Sequence, residues 1–210
     1  MIILKCNKNR KRVKEMKKMN SKGFTLIELL AVITIMGILM MVAIPSVSRT
    51  IENARRDTFA NIAHEYINAI RNGVLADNIE CNGIVASATP DGFYYFEIDT
   101  QAQNTKDLME SGGKSPFGNA EMKGYVLWHK VTKNANTDKQ TTKTTYYSKL
   151  VDSGKHGYKD WLREESVKRA NISTSTGGDA AAPASGQTLP AAGTEGATTI
   201  SGTPTKCVLS

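Results

Sequence analysis

The residue types that could do chemistry are few and far apart. The three histidines, His64, His129 and His156, share no metal-ligand spacing. Gly112-Gly113-Lys114-Ser115 lacks the upstream glycine and the strand–loop–helix setting of a phosphate loop, and reads as a polar turn. Asp152 and Asp160 flank a glycine-containing loop but fall short of the ligand count and spacing of a calcium loop. No serine sits in a nucleophile elbow. The pattern points away from an enzyme, and no metal or other cofactor is expected. One residue stands out: Glu28 is the only charge between Phe24 and Ile44. An ionised carboxylate in hydrocarbon costs about 2.5–3.5 kcal/mol at mid-bilayer and less toward the edge. Glu28 must therefore either reach the headgroups or meet a cation.

The 21 residues from Phe24 to Ile44 are enough to cross a bilayer as a helix. Nine Lys and Arg and a single acid, Glu15, precede them in residues 1–23. The positive-inside rule keeps that flank cytoplasmic and sends the rest of the chain outside. The net charge of +7 belongs to this leader, because the remainder holds 18 basic against 19 acidic side chains. The charge thus gives no signal for nucleic acid. A secretory signal peptide would need a shorter apolar core and a small-residue cleavage site, and Ala43-Ile44-Pro45 is a poor one.

Lys22-Gly23-Phe24-Thr25-Leu26-Ile27-Glu28 resembles the processing motif of type IV prepilins and pseudopilins. Gly37 and Pro45 stand where that family commonly carries a glycine and a helix-loosening proline. The resemblance covers roughly residues 18–75. It implies that a prepilin peptidase cuts between Gly23 and Phe24 and that the new N-terminal Phe24 is N-methylated. Gly23 offers the peptidase an unobstructed backbone. In a staggered stack, Glu28 of one subunit can meet the fresh amine of a neighbour, so that Glu28 sets the assembly register. Pro45 lacks an amide hydrogen and Gly37 lowers helix propensity by about 1 kcal/mol relative to Ala. The residues alone leave a plain kink and local melting equally open; the resemblance favours melting between them.

The elements follow in sequence. Residues 46–76 continue the helix amphipathically, with Val47, Ile51, Phe59, Ile62, Tyr66, Ile67 and Ile70 at spacings of three and four and Gly73 as the stop. From Phe24 to Asn72 a straight helix would run about 74 Å. Residues 81–170 read as a globular head: strands over 84–88, 93–98, 125–131 and 145–151, short helices over 105–111 and 158–169, and a long polar hairpin loop over 132–144. The expected fold is α+β, a long helix packed on a small antiparallel sheet. The pilin fold that the resemblance implies has this form.

Residues 171–210 are rich in Ser, Thr, Gly, Ala and Pro and read as a flexible tail, with a glycosylated stalk at Asn171-Ile172-Ser173 as the rival. Removal of the leader takes Cys6 and leaves Cys81 and Cys207, either one bridge or two free thiols in an exported domain. Pilins often staple their C-terminal region this way, so the resemblance favours the bridge.

The function implied is a structural subunit, major or minor, of a type IV pilus used for adhesion, motility or DNA uptake. Its partners would be itself and other pilins, the prepilin peptidase, the assembly platform and its ATPase, and the membrane before assembly. It would begin as a single-pass precursor in the cytoplasmic membrane and end as an extracellular filament. A pseudopilin of a secretion or competence system is the alternative, and a membrane-anchored binding protein that never polymerises is a third. The tail and the 132–144 loop are the expected contact surfaces on polarity alone.

Overall fold

The computed structural model describes residues 24–109, 113–118, 120–133, 141–174, 180–191 and 196–210. It divides into two units, 1–46 and 47–210. Helix α1, Leu26–Leu75, begins in the first and continues into the second without a break. Gly37 and Pro45 both lie inside it.

In the second unit, α1 buries Phe59, Ala60, Ala63, Tyr66, Ile67 and Ile70. Their helical spacing makes one apolar stripe. The helix passes through Gly73 rather than stopping there. Gly73 instead makes room for a neighbour: a Cβ at this position would lie 2.8 Å from Ile79 Cδ1. The stop is Asp77, at φ +57°. Asn78 N–H donates to Gly73 O at 2.9 Å and Asp77 N–H to Val74 O at 3.4 Å, the two bonds of a Schellman cap.

The sheet has seven strands: β1 Ile79–Cys81, β2 Ile84–Val85, β3 Gly92–Asp99, β4 Met122–Lys133, β5 Thr141–Asp152, β6 Leu162–Arg163 and β9 Thr205–Leu209. Their order is β2-β1-β9-β3-β4-β5-β6, antiparallel except where β9 runs parallel to β3. Between β1 and β2, Asn82 and Gly83 both take positive φ, as a two-residue hairpin turn requires. A short helix α2, Gln103–Leu108, follows β3. A separate two-stranded hairpin pairs β7, Thr188–Leu189, with β8, Thr198–Thr199.

The sheet is buried on both faces. Against the α1 stripe it sets Tyr94, Phe96, Ile98, Val126, Trp128, Tyr146 and Leu150. Tyr66 is fully buried there, and burial pushes its hydroxyl up to about 12. Its hydroxyl donates to Gly113 O at 3.4 Å. A Cβ on Gly113 would lie 1.8 Å from that oxygen, so the approach needs glycine. Arg71 clamps the helix edge, ion-paired to Glu164 and 4.7 Å above the Tyr146 ring. On the opposite face Phe93, Leu127, Tyr147 and Trp161 are covered by Leu189 and Ile200.

Three further expectations are corrected. Residues 171–210 are not a flexible tail in their described parts: β9 occupies the sheet between β1 and β3, and β7–β8 cover the second core. A segment poor in apolar residues is ordered here by strand pairing on both sides, β9 with β1 and with β3, and by the two side chains Leu189 and Ile200. The helix expected over 158–169 is instead β6 followed by 3-10 turns at Glu164–Ser166 and Arg169–Asn171. Tyr158 belongs to the helix-side core and Trp161 to the opposite one, which one face of a helix could not serve. The expected loop 132–144 is shorter, because β4 runs to Lys133 and β5 starts at Thr141; residues 134–140 lie outside the described ones.

Candidate functional site: the N-terminal helix and its acid

The start of α1 is organised by two side chains. Thr25 N–H donates to Glu28 Oε2 at 2.8 Å, and Thr25 Oγ1 donates to the same oxygen at 2.9 Å. In return, Glu28 N–H faces Thr25 O at 3.1 Å and Thr25 Oγ1 at 3.3 Å. This is a capping box, with Thr25 as N-cap and Glu28 at the third helical position. The negative charge also sits where the helix dipole favours it. Glu28 thus has a partner within its own helix, Thr25. The signal was legible as Thr25-x-x-Glu28 ahead of an apolar run. Both contacts use Oε2, and Oε1 has no partner among the described residues.

Behind this cap the helix presents apolar side chains outward. Every described residue from Phe24 to Ser46 is exposed, and the Phe24 side chain is 88% exposed. The most apolar stretch of α1 has a mean hydropathy of 2.6, long and apolar enough to cross a membrane, with none of it buried inside the protein. Thr34 returns its hydroxyl to Ala31 O at 2.8 Å, which hides the polar group within the helix. A Cβ on Gly37 would meet nothing within 4 Å, so no packing in the described chain requires glycine there. Pro45 removes one amide donor yet leaves the helix unbroken. Gly23, the other half of the expected cleavage site, lies outside the described residues, as does Cys6.

In the second unit, Cys81 and Cys207 face each other across the β1–β9 pair and are joined by a disulfide with S–S 2.01 Å. The bond spans 126 residues of sequence and fixes β9 beside β1.

Among the described residues, the polar cluster of the head has the wrong order for a nucleophilic triad. Asp152 accepts Ser115 Oγ at 2.6 Å, His156 N–H at 2.8 Å and His156 Nδ1 at 2.9 Å, while Phe117 stacks on the imidazole at 4.3 Å. A nucleophilic triad needs the histidine between serine and acid. Here the acid is in the middle and Ser115 is fully buried, so the cluster ties the 113–118 segment to the end of β5. His64 Nε2 lies 3.0 Å from Val167 O, a tie between α1 and the segment after β6.

Residues 18–44 match the family model of the prokaryotic N-terminal methylation motif. Neither a curated protein nor a solved structure matches the chain. The match falls on the segment that holds Phe24, the capping box and the exposed apolar helix. The chain accordingly carries the type IV prepilin signature at its N-terminal end, ahead of an α+β arrangement consistent with a pilin-like fold.

Proposed function

We propose that this chain is the precursor of a structural subunit of a type IV pilus, major or minor. The prepilin peptidase cuts between Gly23 and Phe24, Phe24 is N-methylated, and the apolar half of α1 passes from the membrane into a filament core. The supporting observation is a matched methylation motif on a helix whose apolar side chains are left exposed among the described residues. Such a surface needs lipid or other copies of itself.

Glu28 serves two purposes in this reading. Oε2 caps its own helix, and Oε1 is left for the amine of a neighbouring subunit. The local cap orients the carboxylate before assembly, which lowers the ordering cost of the intermolecular contact. Gly37 and Pro45 weaken the helix between them, where local extension accompanies release from the membrane. The disulfide of the head keeps the C-terminal strand in place outside the cell.

The same signature belongs to pseudopilins, whose filaments are short and confined to the envelope. The reading is tested by the mass and N-terminal sequence of the protein from cells with and without the peptidase, and by shearing. The expected outcome is a mature chain beginning at methylated Phe24 and recovered in sheared surface filaments. Processed protein that never appears in sheared material would instead assign it to a pseudopilus. An intact leader in cells holding the peptidase would remove both readings.

A further inference from the structure

The sequence holds two Asn-Gly steps, Asn72-Gly73 and Asn82-Gly83, and the fold sets them in opposite surroundings. An asparagine followed by glycine can react with its own backbone. The glycine amide nitrogen attacks the asparagine Cγ, and a five-membered imide forms. The side-chain nitrogen leaves as ammonia, taking the proton of the glycine N–H. Water then opens the ring at either carbonyl and yields aspartate or isoaspartate. Glycine favours the attack because no Cβ shields its nitrogen.

The reaction requires rotation about the asparagine backbone until Cγ and the next nitrogen meet. Asn72 is denied that rotation. It lies inside α1, where the Gly73 N–H belongs to the helical ladder. Gly73 O also accepts Asn78 N–H at 2.9 Å in the cap. Ile79 packs so close that its Cδ1 would lie 2.8 Å from a Cβ on Gly73. Rotation at Asn72 would undo the last turn of the helix and its cap together.

Asn82 and Gly83 form the turn between β1 and β2, at φ +53° and +77°. Both are exposed, and a Cβ on Gly83 would meet nothing within 4 Å, so water reaches the step. The closed turn fixes the backbone here as well, and reaction waits for the hairpin to open. What must open is small. β2 is two residues long and lies at the edge of the sheet, paired as Glu80 with Val85 and Cys81 with Ile84. Ile84 is 48% exposed. Short edge elements open at the low end of the free-energy scale, well below a buried helix turn.

We infer that Asn82 is a site of spontaneous deamidation in the folded protein, and that α1 protects Asn72 from the same reaction. The change is confined to the sheet edge. Cys81 stays joined to Cys207 and β1 stays paired with β9, so the damage stops at β2. Isoaspartate routes the main chain through the side chain and lengthens it by one carbon, which shifts Ile84 and Val85 against β1. Either product adds a carboxylate two residues from Glu80. This site does not depend on filament assembly.

The test incubates the full-length protein in detergent micelles at neutral pH in water enriched in oxygen-18, so that label enters only where the imide opens during the incubation. One tryptic peptide of the reduced protein, Asn72 to Lys106, holds both steps, and tandem mass spectrometry reads them side by side. Label is expected at Asn82 at least about tenfold faster than at Asn72. In a parallel sample unfolded in urea with the disulfide reduced, the two steps are expected to react at similar rates. Absence of label at Asn82 in the folded protein, or a rate at Asn72 equal to or above that at Asn82, would overturn the inference. A tenfold preference that persists in urea would assign it to the neighbouring sequence rather than the fold, and would overturn it too.

Discussion

The two halves of α1 are one continuous helix with opposite fates. From Leu26 to Ser46 it is nearly all apolar and wholly exposed. From Val47 to Leu75 it carries Arg49, Glu52, Arg55, Arg56, Asp57, Glu65 and Arg71, and yet this half holds the core of the head. The more apolar half is the unburied one. Burial here is decided by where a partner stands rather than by composition. The charged half has a sheet of its own chain to bury against, and it needs only a stripe of six residues to do so. The apolar half is apolar on all sides, as suits a helix whose surroundings are hydrocarbon or identical helices.

That contrast predicts where substitutions act. The largest effect belongs to the disulfide. Replacing Cys81 and Cys207 together by Ser releases a loop of 126 residues, which the chain-entropy model values at about 4–5 kcal/mol. Urea denaturation of the head should show a midpoint shifted down accordingly, while the proposed cleavage before Phe24 is expected to be unaffected. Next is Ile67→Ala, which empties a fully buried site and should cost about 2–5 kcal/mol. Leu30→Ala, on the exposed half, should leave the denaturation midpoint of the head unchanged and reduce recovery in sheared filaments. Equal stability losses from Ile67→Ala and Leu30→Ala would erase the distinction between the halves.

The N-terminal helix was legible because its evidence is local. Charge, apolar run, Glu28 and the glycine–phenylalanine step all lie between Lys5 and Ile44, and each has meaning without tertiary structure. The capping box is equally local, with Thr25 three residues before Glu28, but a lone charge in an apolar run points to a distant partner and masks the near one. In the head, strands β3, β4 and β5 announced themselves by alternation, as in Tyr94, Phe96 and Ile98 on one face. What composition hid was non-local. Thr205-Lys206-Cys207-Val208-Leu209 becomes a central strand because β1 and β3 leave a slot and Cys81 holds it there. Tyr158 and Trp161 look like one helical face, and only the presence of two cores separates them.

A smaller and more discriminating effect lies at Glu28. Thr25→Ala removes the cap but keeps the charge, and should cost about 1 kcal/mol in local helix stability. Hydrogen exchange of the first turn in micelles would report it. Glu28→Gln keeps the capping box, since glutamine serves there too, and removes the charge. Glu28→Ala removes both. If the proposed register contact is real, Glu28→Gln and Glu28→Ala lower incorporation into filaments alike, while processing continues in both. Incorporation that follows the cap instead, normal in Glu28→Gln and low in Thr25→Ala, would assign Glu28 to helix capping alone.

The smallest effect is a dependence on pH confined to the head. His129 on β4 stacks on Phe93 of β3, centroids 4.0 Å apart and planes 6° from parallel. Burial holds its imidazole below the ordinary value of 6.5, against a weaker opposite pull from Asp91. Lys133 and Lys143 line the same cleft, with Gly196 and Thr198 of the cover. Well above pH 6.5 the imidazole is neutral in the folded and unfolded chains alike, and contributes no slope. As the pH falls through that value the unfolded chain takes the proton first, so stability is lost until the folded-state value is reached, and then levels. Asp91 acts elsewhere on the scale. Thr132 N–H at 2.8 Å and Thr132 Oγ1 at 2.7 Å hold its carboxyl below 3.8, so its contribution is present above that value and fades only in stronger acid. Between pH 7 and pH 5 the slope from His129 is therefore free of Asp91. Urea midpoints across that window should fall with pH in the wild type and fall less in His129→Gln, while the exposed half of α1, which carries no histidine, contributes nothing to the difference.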